Sequence, residues 1–335
     1  MLRSLNNWRN FLSLIPKQKR CRELISTRQE HSKEDCSSPP KEVAGECPCQ
    51  PPKIKGNNST MPCPRMQEEL FNLNCKTAVV VGGEDGIGFA TADCMLCHHA
   101  KVVGIFGINV CKGTEACHCL NCKYGHKKAV FYRVDVNSTS DLECAICKLT
   151  QEHGRIEAFV NAFGICHGKE WENELTTNMV GMARSTIVAH KYLSESRRGG
   201  VIVNTSGIFG FIPLAGCPTL SAAQHGIIGL SKSFGHQDIF KQSNVRVIAL
   251  CPGITNSRLF RKANIRAMTP HMGKCLTEQI ETMKKQKPEI CAQSIVWLLK
   301  FGDSGSIWLI EDKKFYKIQC NLPHCCSELY QQLPG

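Results

Sequence analysis

Strand-like runs alternate with helix-length segments over most of this chain, and this pattern restricts the fold more than any other feature. The runs are rich in β-branched and other apolar residues. They cover residues 76–81, 102–106, 130–134, 158–161, 201–205, 245–251 and 306–310. Because parallel strands need long crossover connections, the alternation predicts a single-domain α/β fold with a doubly wound parallel sheet.

A glycine-rich turn follows the first of these runs directly. Residues 82–88 read GGEDGIG, and a helix-like stretch over 89–97 comes next. Glycines permit the tight turn, and their missing side chains let a dinucleotide pyrophosphate approach the N–H groups and dipole of the helix N-terminus. The position between strand and helix therefore predicts a Rossmann-type dinucleotide site. The alternative is that these glycines serve only the turn and helix packing.

The turn resembles the fingerprint of the short-chain dehydrogenase/reductase family, Thr-Gly-x-x-x-Gly-Ile-Gly. Val81 replaces the threonine, whereas Gly82, Gly86, Ile87 and Gly88 match the remaining positions. Further landmarks follow in the family's order. They are Asp135-Val136, NAFG at 161–164 in place of Asn-Asn-Ala-Gly, Asn178, and CPG at 251–253.

This resemblance covers roughly residues 73–319 and is strongest to one part of the family. HGIIG at 225–229, PGITNS at 252–257 and GSI at 305–307 are similar to the NAD-dependent 15-hydroxyprostaglandin dehydrogenases and insect alcohol dehydrogenases. The resemblance implies a nicotinamide cofactor and oxidation of a secondary alcohol.

The residue that should bind the adenosine ribose is missing. NAD-preferring members carry an acid at the end of the second strand. That position is Phe106 here, and Gly107, Ile108 and Asn109 follow it, so neither an acid nor a base for a 2′-phosphate is present. We therefore expect NAD binding to be weakened. The residues expected to contact the cofactor are Gly82, Gly86, Ile87, Gly88, Asp135, Val136, Asn161, Gly253 and Ser257.

The catalytic side chains are also missing. Family chemistry uses a tyrosine to exchange the hydroxyl proton, a lysine one helical turn later to lower the pKa of that tyrosine, and a serine to bind the substrate oxygen. The matching positions are Leu220, Gln224 and Gly207, which leaves Asn178 as the one retained member of the tetrad. None of the five tyrosines lies between residues 193 and 315, so a shifted alignment cannot restore the base.

Two histidines are candidates to replace the missing acid/base. His225 neighbours Gln224 but should project about 100° away around the helix, and His167 lies on the loop after Gly164. We interpret both as incidental, which predicts a catalytically inactive family member, a pseudoenzyme. The alternatives are an active NAD-dependent oxidoreductase with a recruited acid/base, and a thiol-rich metal-binding protein.

The chain contains 22 cysteines, and its length does not suit a small disulfide scaffold. Most should be free thiols acting as small apolar side chains. Cys117, Cys119 and Cys122 have spacings that could suit zinc. Such spacings also arise on helices that bind no metal, so we expect no metal site. If zinc binds, Cys117, Cys119 and Cys122 are its candidate ligands.

The first residues predict a destination in the cell. Residues 1–22 are rich in arginine and lysine and lack acids, and their apolar residues recur at helical spacing. This pattern is typical of a mitochondrial presequence, and the alternative is a disordered basic tail in the cytosol. We assign residues 1–70 to a targeting segment and disordered linker, 71–319 to the Rossmann domain, and 320–335 to an irregular Cys-rich tail.

Charge and hydropathy bear on the partners. The net charge is +12, but the basic residues are scattered and accompany no nucleic-acid-binding motif, so we expect no nucleic-acid partner. No apolar run is long enough to predict a membrane span. We expect a homo-oligomer, or a hetero-oligomer with a related family member, formed through the helices around Asn178 and Gln224.

Overall fold

The computed structural model describes residues 69–195 and 198–318. The predicted targeting segment, nearly all of the linker and the Cys-rich tail lie outside these residues, so the proposed segment boundaries stay predictions. None of the described helices is both long enough and apolar enough to cross a membrane.

The described residues form one eight-stranded sheet with helices on both faces. The strand order is β3-β2-β1-β4-β5-β6-β7-β8, and every pair is parallel except β7 with β8. The strands are β1 (Thr77–Val81), β2 (Val102–Gly107), β3 (Ala129–Arg133), β4 (Ile156–Asn161), β5 (Gly200–Thr205), β6 (Val245–Pro252), β7 (Ile307–Glu311) and β8 (Lys314–Ile318). The predicted α/β fold with a doubly wound parallel sheet is confirmed.

Ten α-helices connect and follow the strands in the described part of the chain. They are α1 (Gly86–Cys97), α2 (Val110–Tyr124), α3 (Thr139–His153), α4 (Trp171–Leu175), α5 (Met182–Glu195), α6 (Pro218–Phe234), α7 (Gln237–Ser243), α8 (Ala263–Arg266), α9 (Pro270–Thr282) and α10 (Pro288–Phe301). A π-helical segment, Thr176–Gly181, joins α4 to α5.

Successive residues of β1 point to opposite faces of the sheet and so supply two separate cores. Ala78 and Val80 pack with α1, α2 and α10 on one face. Val79 and Val81 pack with α3 and α5 on the other. Because both faces are covered, all five residues of β1 are buried. The carboxyl ends of the parallel strands therefore meet at one edge, between the two helix layers.

The eighth strand was not predicted from the sequence. β7 and β8 form an antiparallel hairpin in which Glu311 pairs with Lys314. The two residues between them, Asp312 and Lys313, have φ angles of 48° and 63°. A two-residue turn with both φ angles positive usually contains glycine or asparagine. Neither residue occurs in this turn, so the sequence does not indicate a hairpin.

Candidate active site

The glycine turn lies at the switch point of the sheet, between β1 and α1. Gly82 and Gly86 have φ angles of 78° and 53°, which favour glycine. A Cβ atom at Gly82 would lie 2.9 Å from the carbonyl oxygen of Ala162, and one at Gly88 would collide with the carbonyl oxygen of Gly82. The turn thus has the close backbone approach that a pyrophosphate needs, and the same glycines are required for packing.

A carboxylate of the protein already occupies the N-terminus of α1. Asp85 is the N-cap, and its Oδ1 accepts a hydrogen bond of 2.8 Å from the N–H of Gly86. Its Oδ2 lies 2.6 Å from Nε of Arg258 and 3.8 Å from Nζ of Lys112. A pyrophosphate entering this position would meet a like charge, while the two cations that could bind it are engaged by Asp85.

Glu84 brings a second carboxylate to the end of β2. A Cβ atom at Gly107 would collide with this carboxylate, so Glu84 fills the space left by that glycine. Burial raises the pKa of this carboxylate, while the nearby backbone of Asn109 and Ile108 acts in the opposite direction. Its Oε2 is buried without a hydrogen-bond partner among the described residues.

The position of Glu84 changes the interpretation of the ribose site. No acid follows Phe106 in the sequence, but the structure supplies one from the glycine turn. A buried carboxylate oxygen without a donor suits a ribose hydroxyl, so the residues present fit an NAD adenosine. Phe106 itself is fully buried and makes edge-to-face contacts with Phe159 and Tyr132.

Asn161 lies at the carboxyl end of β4 in a buried polar network. Its side-chain amide donates to Oδ1 of Asn204 at 2.9 Å, and its oxygen accepts from Oγ of Ser185 at 2.6 Å. Asn204 in turn donates to Oγ of Ser231 at 3.0 Å. The network links β4 and β5 to α5 and α6. The role of Asn161 in cofactor binding stays a prediction, since its side-chain groups are engaged here.

The other predicted cofactor residues surround the same edge of the sheet. Asp135 accepts a hydrogen bond of 2.8 Å from the N–H of Asn137, and Val136 is buried beside it. Gly253 packs against Glu311, and Ser257 approaches Gly86 from the loop after β6. Ile87 packs on the core beneath the turn. The structure thus places the predicted cofactor residues around one edge of the sheet.

The serine and lysine positions of the catalytic set are packed against each other. A Cβ atom at Gly207 would lie 2.5 Å from Oε1 and 2.6 Å from Nε2 of Gln224. Gln224 is 6% exposed, and its Oε1 has no hydrogen-bond partner among the described residues. Ser206, the neighbouring hydroxyl, donates to the backbone carbonyl of Gln224 at 2.8 Å. The amide of Gln224 therefore fills the space of the missing serine.

The tyrosine position belongs to an apolar cluster. Leu220 is 3% exposed and packs in a cluster that includes Ile208, Phe209 and Ile254. A leucine offers no proton to exchange, and its surroundings are those of a core residue rather than of an acid/base.

Asn178 braces the loop after β4. Its side chain accepts a hydrogen bond of 2.9 Å from the N–H of Ile165 and donates one of 2.7 Å to the carbonyl of the same residue. It is 3% exposed and lies in the π-helical segment. The retained member of the tetrad thus has a structural role that does not require catalysis.

The two histidines differ in their surroundings. Nδ1 of His225 lies 2.9 Å from the carbonyl of Ser221, one turn earlier on α6. Nε2 of His167 lies 3.7 Å from Glu170, whereas its Nδ1 is buried without a hydrogen-bond partner among the described residues.

The predicted zinc candidates on α2 do not converge. Cys117 is buried in the core, where desolvation raises its pKa to about 12, whereas Cys119 and Cys122 are exposed. In the described residues, one group of three or more His, Cys, Asp or Glu ligand atoms lies within 4.8 Å of one another, and it consists of Cys166, Glu174 and Cys217. The sequence does not reveal this group, because its members are far apart in the chain.

Comparison with known proteins agrees with this geometry. The family model described as short chain dehydrogenase matches residues 76–267. Fat body protein 2 of Drosophila melanogaster is 30% identical over 72% of this chain and 94% of its own length. The 15-hydroxyprostaglandin dehydrogenase (NAD+) of Rattus norvegicus is 31% identical over 64% of this chain and 81% of its own.

Further relatives fit the same description. Alcohol dehydrogenase 1 of Ceratitis capitata is 26% identical over 74% of this chain and 96% of its own length. The crystal structure of levodione reductase has the same fold, with a TM-score of 0.63, 19% identity, and coverage of 71% of this chain and 97% of its own. The resemblance inferred from the sequence motifs is confirmed.

Proposed function

We propose that this chain, which belongs to the short-chain dehydrogenase family, is a catalytically inactive member that keeps a weakened NAD site and acts by association with other chains. Its relatives include NAD-dependent dehydrogenases, so an oxidoreductase-type scaffold is the starting point.

The contact between Gln224 and Gly207 carries the proposal. A substrate oxygen would need a hydroxyl at 207 and a nearby cation to hold the tyrosinate form of residue 220. An amide fills that space instead, and residue 220 is a buried leucine. Loss of one positioned acid/base typically costs about 10²–10⁴-fold in rate. The loss of all three groups leaves no path for the alcohol proton.

The cofactor part of the proposal depends on two acids in the glycine turn. Glu84 provides the carboxylate that would accept the ribose hydroxyls, and it would repel a 2′-phosphate, so we expect a preference for NAD over NADP. Asp85 opposes the pyrophosphate at the N-terminus of α1, so we expect weak affinity. When bound, NAD would supply a hydride acceptor.

Fluorescence titration of the purified full chain with NADH and NADPH tests this site. We expect weak, saturable NADH binding and weaker NADPH binding. Glu84→Gln removes a charge-assisted hydrogen bond worth about 1.5–3 kcal/mol, so NADH affinity should fall about ten-fold or more and the gap to NADPH should narrow. Absence of NADH binding at millimolar concentration would remove the cofactor part of the proposal.

An exposed apolar pair supports association. Val180 in the π-helical segment and Ile187 on α5 are 48% and 43% exposed. On the nearby α6, a Cβ atom at Gly229 would meet nothing within 4 Å, so a partner could approach the backbone closely there. We propose a second copy of this chain or a related family member as the partner.

Light scattering on the full chain tests the association. We expect a mass of at least two chains for the wild type. Val180→Glu with Ile187→Glu should yield monomers, because it places charges in the proposed interface, whereas Ile265→Glu, at a similarly exposed apolar position on α8, should not. A monomeric wild type would point to a related family member as the partner, and a variant that stays oligomeric would exclude this surface.

A further inference from the structure

A buried group of two thiols and one carboxylate lies beside the former catalytic position. Cys166 is on the loop after β4, Glu174 is on α4, and Cys217 immediately precedes α6. None of the three side chains is more than 2% exposed. Cys217 is three residues before Leu220 and belongs to the same cluster of buried residues.

We infer that Cys166, Glu174 and Cys217 form a binding site for a soft divalent cation of the zinc class. The two Sγ atoms are 3.5 Å apart, and Sγ of Cys217 lies 3.4 Å and 3.5 Å from the two carboxylate oxygens of Glu174. Zinc binds thiolate at about 2.3 Å and carboxylate at about 2.1 Å, so tetrahedral angles place sulfur atoms about 3.8 Å apart and sulfur and oxygen about 3.6 Å apart. Two of the three pairs are therefore close to this spacing, and all three ligand atoms lie within 4.8 Å of one another.

The electrostatics of Glu174 also favour a cation. Its carboxylate is completely buried, and no Lys, Arg or His side chain of the described residues forms an ion pair with it. It accepts hydrogen bonds from Oγ1 of Thr219 at 2.6 Å and from the backbone N–H of His167. These bonds and the contacts with the Cys217 thiol orient the carboxylate toward the sulfur atoms.

The two thiols are already in contact with each other. Cys166 donates a hydrogen bond to the sulfur of Cys217. Cation binding would release both thiol protons.

A fourth ligand is available next to the group. Nδ1 of His167 is buried without a hydrogen-bond partner among the described residues, and His167 directly follows Cys166 in the chain. Rotation of this side chain, or a water molecule, would complete four-coordination. A disulfide between Cys166 and Cys217 is the competing outcome, but it requires an oxidant.

Cobalt titration of the reduced, metal-free full chain tests the site. Thiolate coordination to Co²⁺ gives an absorption band in the near ultraviolet, and displacement by Zn²⁺ removes it. Because the chain has 22 cysteines, the number of tightly bound equivalents is compared between variants. Cys166→Ser, Cys217→Ser and Glu174→Gln should each bind one equivalent less than the wild type. Cys119→Ser with Cys122→Ser, two exposed thiols on α2, is the control and should retain that equivalent.

Thermal unfolding provides a second measurement that does not depend on the variants. Zn²⁺ at one hundred times its Kd should raise the Tm of the wild type by about 5 to 10 °C. The two serine variants are nearly isosteric and remain informative if Glu174→Gln fails to fold. Equal stoichiometry in all variants would overturn the inference, as would a Cys166–Cys217 disulfide in peptide maps of protein purified without reductant.

Discussion

Restoring the serine alone should destabilise the protein, because the position has been taken over by packing. Gly207→Ser places a new Cβ 2.5 Å from Oε1 and 2.6 Å from Nε2 of Gln224. Both distances are well below an ordinary contact. Gln224 is almost fully buried and cannot rotate into solvent without shifting its neighbours. We expect an overpacking cost of about 1–3 kcal/mol in the free energy of unfolding.

The same contact predicts strong coupling between the two positions. In a Gln224→Ala background the new side chain has room, so Gly207→Ser should cost about 0.5 kcal/mol or less. The coupling energy of the double-mutant cycle is then about 0.5–3 kcal/mol, the range measured for residues in contact. Gly164→Ser is the matched control, since its backbone is not left-handed and its Cβ would make one ordinary contact of 3.4 Å, with Oδ1 of Asn178.

Urea unfolding of the four proteins of the cycle and of the control measures these energies. The expected pattern is a lower midpoint for Gly207→Ser and a nearly unchanged midpoint for Gly164→Ser. A Gly207→Ser midpoint equal to that of the wild type, or an equal cost in both backgrounds, would refute the packing argument.

Asp85→Asn removes a like charge from the pyrophosphate position. Because the Asp85 side chain is 41% exposed, the binding free energy of NADH should improve by about 1–2 kcal/mol. Fluorescence titration should then show about five- to thirty-fold tighter NADH binding. Leu220→Ala should lower the free energy of unfolding by about 2–5 kcal/mol in urea, and a cost below about 1 kcal/mol would contradict its core role. Residues 1–22 fused to a fluorescent reporter should direct it to mitochondria, and Glu at positions 3, 9 and 20 should abolish this; diffuse cytosolic signal from the unmodified fusion would contradict the targeting proposal.

The fold could be predicted because its signals are local. Alternating strand and helix segments and a glycine turn after β1 are contiguous in the sequence, and the structure has both. β8 escaped because its turn residues, Asp312 and Lys313, are not typical of a hairpin. The missing catalytic groups could also be located by counting along the chain, since α6 carries both Leu220 and Gln224.

The parts that could not be predicted depend on side chains meeting across the fold. Glu84 reaches from the glycine turn to the end of β2, so a search of the strand end alone finds no acid. Cys166 and Cys217 are 51 residues apart in sequence, whereas local cysteine spacing drew attention to α2. The hydrogen bonds that the Asn161 amide makes within the core depend on where α5 packs.

The central claim is that the scaffold no longer carries out family chemistry, and an alcohol-oxidation assay tests it most directly. The purified wild type, supplied with NAD and a series of secondary alcohols, should produce no NADH above background. Gly207→Ser, Leu220→Tyr and Gln224→Lys together should give measurable turnover if NAD still binds, whereas Leu220→Tyr alone should give little, because its phenol would keep a pKa near ~10. Robust wild-type turnover that is lost in His167→Asn or His225→Asn would contradict the account and identify a recruited acid/base.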